Sequence, residues 1–225
     1  PMLSRVNVTL DEGADERLIM LLEPSENGLV RHEVRAECGV NSHIHIMTVM
    51  IGSGDIYSDD HVTLSGDGAR FDADTAYLGK NSQTIDYNIV ADHFGKKTES
   101  LITVNGALTD SAKKVFRGTI DFKKGSADSV GSENETVLML GDDVVNKTVP
   151  LILCAEENVE GTHGATIGEL DADTMFYFES RGIDRETAEK IMAYAAVERL
   201  IHMAEDSEFA AEVEKDMGIK TDTEE

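Results

Sequence analysis

The feature that most constrains the fold of this chain is a long stretch in which short apolar runs alternate with turn residues. Proline is absent between Pro24 and Pro150, and Gly, Asp, Asn and Ser separate the runs. The clearest strand-like runs cover residues 40–51, 61–64, 76–78, 84–90, 100–104, 115–122 and 136–140. Because no helical period separates these runs, the pattern excludes a doubly wound α/β sheet and predicts an all-β body.

The arrangement of these strands in space is left open by the pattern. Strands that recur about every 10 to 15 residues are compatible with a sandwich, a jelly roll or a solenoid. The absence of a clear sequence repeat slightly disfavours a regular solenoid.

The sequence pattern changes from strand-like to helical after Gly168. Residues 170–180 predict a short helix, with Asp171 or Asp173 as its cap and Gly182 as its end. Asp184 begins a second helix. The apolar stripe predicted for this second helix consists of Ala188, Ile191, Met192, Ala195, Ala196 and Leu200.

Three parts of the chain follow from these patterns. Residues 1–27 are predicted to be an N-terminal arm or strand, extended around residues 6–10. Residues 28–168 form the β core. Residues 169–225 form a C-terminal helical subdomain, in which a third helix frays into an acidic tail.

The charge of the chain restricts its partners and its compartment. Forty-four acidic residues against 20 basic ones give a formal net charge of −24. Such a surface repels phosphate backbones, so nucleic-acid binding is not expected. No apolar run approaches the roughly 20 residues that span a bilayer, so no membrane association is expected. Cys38 and Cys154 are too few for a disulfide framework, which favours a reducing cytoplasm.

One candidate metal site lies on a predicted strand. His43 and His45 alternate with isoleucines, so both imidazoles project from one face. Such a pair is half of a cupin-type metal site, although no glutamate follows at the expected offset. A metal-dependent, cupin-like β-fold enzyme that uses these two histidines is therefore the alternative function.

A second candidate site lies where the β core ends. His163 stands between Gly161 and Gly164, which leave the backbone open and the ring accessible. Cys154 lies nine residues earlier, after an apolar run, so it is either buried or able to carry sulfur or bind iron beside His163. Cys38 is expected to be a small buried residue.

Catalytic motifs are otherwise missing from the sequence. It contains no phosphate-binding G-x-x-x-x-G-K-[ST], no G-x-S-x-G and no H-E-x-x-H. We therefore expect a protein that is not an enzyme, and any ATP hydrolysis must come from a partner.

Several motifs together resemble one known family. Residues 158–168 place glycines and hydroxyls around His163, and residues 176–178 and 180–183 follow. Upstream, His93 is followed in the same order and spacing by residues 98–100, 106–108 and 115–120. This set is similar to the SufB/SufD family, the scaffold subunits of the Suf iron–sulfur cluster assembly system. The likeness covers about residues 85–203 and extends more loosely back to about residue 30.

The resemblance implies a fold and a site. Members of the family are right-handed parallel β-helices, here with a small C-terminal α-helical subdomain. Thr162-His163-Gly164 resembles the SufD type, whose matching histidine lies at the contact with SufB where a cluster assembles. A transient iron–sulfur cluster at that subunit interface is thus expected, with no intrinsic cofactor. The cysteine that SufB contributes falls near Glu135 here, so this chain does not supply that thiolate. A chain of 225 residues also has no room for the N-terminal helical region of longer members.

The resemblance also implies partners. The chain would pair with a SufB-like subunit or with a second copy, and its C-terminal helices would dock the SufC-type ABC ATPase. Phe176 and Tyr177 are consecutive with Phe178, so these rings cannot all face one core. With Arg181, and with Arg185 and Tyr194, which are expected to be exposed, they are the candidate docking residues. Alternatively, all of the helical surface serves as a cap of the β core.

Overall fold

The computed structural model describes residues 1–217, in which twelve β-strands precede three α-helices. The acidic tail predicted after the third helix lies outside the described residues. The strands are β1 Met2–Leu10, β2 Asp15–Leu22, β3 Leu29–Cys38, β4 His43–Met50, β5 Asp55–Leu64, β6 Arg70–Gly79, β7 Thr84–His93, β8 Glu99–Leu108, β9 Lys113–Phe122, β10 Ser129–Met139, β11 Val145–Cys154 and β12 Val159–Glu169. The helices are α1 Ala172–Glu179, α2 Arg185–Ala204 and α3 Ser207–Asp216.

The strands form a parallel β-helix of six coils. Odd-numbered strands make sheet A in the order β1-β3-β5-β7-β9-β11, and even-numbered strands make sheet B in the order β12-β10-β8-β6-β4-β2. Each coil contributes one strand to each sheet, and paired strands are parallel. The predicted all-β body and the β-helix are confirmed, whereas the sandwich and the jelly roll are wrong.

The first coil comes from the segment predicted as an arm. β1 pairs with β3 along its whole length, from Met2 beside Val30 to Leu10 beside Cys38. β2 pairs with β4 in the same way. The predicted strand around residues 6–10 is therefore part of β1, in the same sheet as the strands that follow.

The turns between consecutive strands use the residues that the sequence indicated. Asn41, Asn81, Asp110 and Asp128 have positive φ angles of 52°, 56°, 54° and 64°. Asn and Asp tolerate this left-handed conformation better than other residues that carry a side chain. Turns without proline can thus stack on one another from coil to coil.

The main core lies between the two sheets. Side chains alternate along each strand, so every second residue faces inward. The largest inward side chains include Phe71, Tyr77, Tyr87, Phe116 and Phe122, and each is at most 1% exposed. Tyr87 stacks on Phe116 with ring centroids 4.7 Å apart, so aromatic side chains continue from one coil to the next.

A second apolar cluster joins the helices to the outer face of sheet B. Met47, Val49, Ala76 and Ala107 face outward there and pack with α2 and α3. The helical subdomain is therefore fixed to one sheet by apolar packing. Among the described residues, no helix is both long enough and apolar enough to span a bilayer.

The predicted caps of the first two helices are confirmed, but the stripe of α2 is partly wrong. Asp171 and Asp184 each accept a hydrogen bond from the backbone N–H three residues later. Ile191 was predicted to be inside and is 45% exposed. The buried residues of α2 are Ala188, Ala193, Val197, Leu200, Ile201 and Ala204. The outward apolar side chains of sheet B select this face, and the helix sequence alone does not reveal them.

Candidate functional site

The candidate site is the terminal coil, formed by β11 and β12. β11 pairs with β9 and β12 pairs with β10, and each is the last strand of its sheet. Along the outer edge of both strands, the backbone has no strand partner within the described residues. β12 is exposed or half-buried throughout. Such an edge is a template for pairing with another chain.

The outer face of β11 carries a row of exposed apolar side chains. Val149 is 53% exposed, and Leu151 and Leu153 are 45% and 42% exposed. The interior strands of sheet A carry ion pairs on the same face, such as Arg35 with Asp59. The apolar row is therefore a property of the edge strand, and exposed apolar patches of this kind are typical of interaction surfaces.

His163 lies in the middle of β12 and faces the inside of the coil. The register places it beside Glu133 of β10. His163 is nevertheless exposed, because no further coil covers this end among the described residues. Its accessibility thus comes from its place at the open end.

Gly161 has a packing role that the sequence did not reveal. A Cβ at this position would lie 2.9 Å from Ile152 Cγ2 and 3.1 Å from Phe122 Cε2. A larger residue would therefore push β12 away from β11. Gly161 is required by this close approach, and not only to leave the His163 ring accessible.

Cys154 is exposed and lies at the end of β11, beside Phe122. The contact between Gly161 and Ile152 sets His163 opposite Pro150. Four residues of strand between Pro150 and Cys154 span roughly 13 Å. The structure therefore does not bring the cysteine and the histidine together. Within residues 1–217, no group of three or more His, Cys, Asp or Glu side chains could hold a metal ion.

A buried group of charges lies directly below the terminal coil. Lys114 Nζ donates a hydrogen bond to the Glu135 carboxylate, and the Thr148 hydroxyl donates to the same carboxylate. Lys114 is 0% exposed, and Glu133 and Glu135 are each 2% exposed. One ammonium group therefore provides the positive charge beside two buried carboxyl groups.

The protonation of this group follows from its burial. Burial first, and then the Glu135 carboxylate, raise the pKa of Glu133 to about 7, against the opposing charge of Lys114. Burial lowers the pKa of Lys114, against the opposing effect of Glu135. Sequence reasoning missed this group, although alternation places Lys114 on the same strand face as Phe116 and Ile120, which is a detectable signal.

The His43/His45 pair lies elsewhere, on the outer face of sheet B. His43 Nε2 lies 2.9 Å from Asp72 Oδ2, and His45 Nε2 lies 2.9 Å from Asp74 Oδ2. His43 Nδ1 also lies 3.2 Å from Asp15 Oδ1. The imidazoles thus join neighbouring strands through carboxylates. The cupin-like alternative is wrong in its fold, because cupins are antiparallel jelly rolls and these sheets are parallel.

Three of the predicted docking residues are exposed on or beside α1. Phe176 and Tyr177 are 72% and 54% exposed. The Arg181 guanidinium lies 4.5 Å from the centroid of the Tyr177 ring, which favours a cation–π contact. This part of the helical subdomain therefore presents aromatic and cationic surface to the solvent.

The other two docking candidates differ from each other. Arg185 is exposed and lies 3.4 Å from Glu189 within α2. Tyr194 was expected to be exposed, but it is half-buried against the helix cluster, and its hydroxyl lies 3.4 Å from Glu214 Oε1. Tyr194 therefore holds α3 against α2 and is a poor choice for probing a partner surface.

Comparison with known proteins gives a consistent result. The family model described as "SUF system FeS cluster assembly, SufBD core domain" matches residues 2–196. The iron–sulfur cluster assembly protein SufD of Bacillus subtilis is 31% identical over 156 residues, which are 69% of this chain and 36% of the relative. A chloroplastic SufBD family protein of Arabidopsis thaliana is 28% identical over 81% of this chain and 32% of its own length.

An archaeal relative is similar over more of the chain. A SufBD family protein of Pyrococcus horikoshii is 25% identical over 96% of this chain and 49% of its own length. The chain thus spans between about a third and a half of the length of these three relatives.

Proposed function

Because the chain belongs to the SufBD core-domain family, we propose that it is a non-enzymatic scaffold subunit of Suf iron–sulfur cluster assembly. The observation that carries this proposal furthest is the terminal coil. It combines two strand edges without a strand partner in the described chain with an exposed apolar row and an accessible histidine. A partner that continues both sheets would cover these features at once.

The proposed partner at this end is a SufB-like subunit or a second copy of the chain. Pairing across the edges would enclose His163 within the interface, where a transient iron–sulfur cluster assembles. Imidazole nitrogen is a suitable ligand for iron. Cys154 lies too far along β11 to act on the same iron atom as His163, so a thiolate at this site would come from the partner.

The proposed ATPase contact lies on the helical subdomain. Phe176, Tyr177 and Arg181 form an exposed aromatic and cationic surface. Aromatic residues and arginine are the usual energetic centres of protein interfaces. We propose that a SufC-type ABC ATPase docks on this surface and that the assembly works in the cytoplasm.

The test is anaerobic cluster reconstitution with the co-purified SufB-like and SufC-type subunits of the same organism. His163→Ala should leave the complex intact and lower the cluster yield several-fold. Thr166→Ala, a neighbour on β12 that faces outward, is the matched control and should keep the yield of the parent. Equal yields for His163→Ala and the parent would remove His163 from the site.

The ATPase contact has its own test. Phe176→Ala, Tyr177→Ala and Arg181→Ala should each weaken SufC binding in titration calorimetry, because each removes exposed contact surface without opening the core. Glu186→Ala in α2, whose side chain is exposed and pairs with Lys190, is the control. If all three variants bind as the parent does, the helices serve as a structural cap only.

A further inference from the structure

A set of buried polar side chains occupies the second and third coils of the β-helix. His32, Thr48, Ser58 and Asp60 are each at most 5% exposed. Both ring nitrogens of His32 and one oxygen on each of the other three side chains have no hydrogen-bond partner of normal geometry among the described residues. The Ser58 hydroxyl is nevertheless near enough to Asp60 to lower the pKa of that carboxyl. Buried polar groups in native proteins are almost always hydrogen-bonded, either to protein or to ordered water. This concentration therefore indicates a missing hydrogen-bonding partner.

Within sheet A, three of these side chains are neighbours. His32 of β3 and Ser58 of β5 are paired in the register. Asp60 lies two residues further along β5, so it projects from the same inward face. Adjacent strands are about 4.8 Å apart, so these side chains lie within reach of one small molecule.

Sheet B supplies the fourth side chain from the opposite wall. A Cβ on Gly118 would lie 1.9 Å from Glu133 Oε2, so these two inward positions face each other in the fifth coil. Because the strand registers are continuous in both sheets, the facing pairs of the earlier coils can be assigned from this pair. In the second coil, they set Thr48 opposite His32.

The third coil has less side-chain volume at this level than the fourth coil. By the same correspondence, Asp60 faces Ala73 in the third coil, and Ile89 faces Ile102 in the fourth. A methyl group opposite a carboxyl group fills less of the interior than two isoleucines do. The polar groups therefore lie beside a level at which the facing side chains are small.

The protonation of the group determines which ligand fits. Burial lowers the pKa of His32, against the opposing charge of Glu33, so the imidazole is neutral and offers one donor and one acceptor. Burial first, and then the Asp59 carboxylate, raise the pKa of Asp60 to about 7. Below that pH the whole set is uncharged and mixes donors with acceptors, which does not suit a metal cation.

We propose that the second and third coils enclose at least one ordered water molecule, bound by His32, Thr48, Ser58 and Asp60. Water both donates and accepts hydrogen bonds, as this mixed set requires. Buried waters typically make about three hydrogen bonds to groups that otherwise lack partners. The water is then a structural part of the β-helix interior, and it joins sheet A to sheet B at this level.

The test counts long-lived internal waters in the full chain by magnetic relaxation dispersion of the water signal. Thr48→Val removes a hydroxyl at nearly constant shape. If Thr48 binds a water, the variant loses at least one long-lived water, and its thermal unfolding midpoint does not rise. If the Thr48 hydroxyl binds no water, the number of long-lived waters stays the same and the thermal unfolding midpoint rises, because an unsatisfied buried group has been removed. That second result would overturn the proposal.

The control is a hydroxyl with direct protein partners. Thr98 Oγ1 lies 2.8 Å from His93 Nδ1 and 2.8 Å from Ser129 Oγ, so Thr98→Val should lower the midpoint without changing the water count. A measurement on the parent protein covers the case in which Thr48→Val does not fold. Nuclear Overhauser effects between water and the Ser58 and Asp60 amides are expected, and their absence would refute the water site.

Discussion

Two carboxyl groups inside the β-helix make its stability depend on pH. Asp60 and Glu133 are 3% and 2% exposed, and the pKa of each is raised to about 7, mainly by burial. A raised folded-state pKa means that the folded chain holds the proton more tightly than the unfolded chain. The stability that these two groups contribute is therefore fully present near pH 4, falls as the pH rises through 7, and is lost above it.

We predict that Asp60→Asn flattens this dependence. The parent should lose stability between pH 5 and pH 8 in urea unfolding, and Asp60 should account for about 2 to 3 kcal/mol of that loss. The variant should lose correspondingly less. Glu12→Gln, which removes a carboxyl group from an exposed turn, is the control and should behave as the parent does. An equally steep loss in Asp60→Asn would contradict the prediction.

The buried ion pair below the terminal coil makes a second prediction at this scale. Lys114→Met should destabilise the chain by about 3 to 5 kcal/mol, because it leaves Glu135 buried without its cation. Adding Glu135→Gln to Lys114→Met removes the uncompensated charge and should recover part of the loss. Urea unfolding of the parent, the two single variants and the double variant measures this coupling. A double variant less stable than Lys114→Met would contradict the prediction.

At the scale of elements, the sequence predicted where the strands lie along the chain better than it predicted which strands pair with each other. Alternation and turn residues marked most strands of the body, and aspartate caps marked the first two helices. The pairing could not be read in this way, because each strand pairs with the strand one full coil away, as Asp55 does with Leu29. The same alternation would suit a sandwich, so the β-helix was predicted only from family resemblance. Exposure of Tyr194 was predicted wrongly because it depends on how α3 packs back against α2, which the sequence of α2 alone does not reveal.

The candidate site was only partly predictable for a similar reason. His163 was predicted as a site residue from its glycine-rich surroundings, and the structure places it exposed at an open end of the β-helix. Its separation from Cys154 depends on which residues of β11 and β12 face each other, and nine residues of sequence do not reveal this. Lys114 was overlooked because a lysine pair reads as surface charge, whereas one member of this pair faces the interior.

The edge strand β11 supports a prediction about pairing. Leu151→Lys places a charge in the exposed apolar row, so it should prevent pairing of two copies and leave the folded monomer as stable as the parent. Sedimentation velocity measures the assembly state, and thermal unfolding measures the fold. Tyr57→Lys, on the same outer face but in the interior strand β5, is the control and should still pair. A dimer as tight as that of the parent in Leu151→Lys would place the interface elsewhere.

At the scale of the whole molecule, the net charge opposes any pairing of identical copies. Each copy carries a formal charge of −24, so two copies repel each other at low ionic strength. The Debye screening length is about 10 Å at 0.1 M salt and about 3 Å at 1 M salt, so the repulsion weakens as salt is added. We predict that the dimer dissociation constant falls several-fold between these salt concentrations, as measured by sedimentation equilibrium. A dissociation constant that rises with salt would show that ion pairs, and not apolar contacts, hold the interface.

The alternation of strands between the two sheets also makes the length of the molecule adjustable. A hydrogen bond joins Thr84 to Asp55, which is 29 residues earlier, and this is one full coil. Within the β-helix, each coil contacts mainly the coil before it and the coil after it, so a segment of this size could be duplicated or removed wherever α2 keeps its packing on the second to fourth coils. Every added coil would move the terminal surface outward by about 4.8 Å and leave its chemistry unchanged. Evolution could thus alter the reach of this scaffold independently of the partner that it binds.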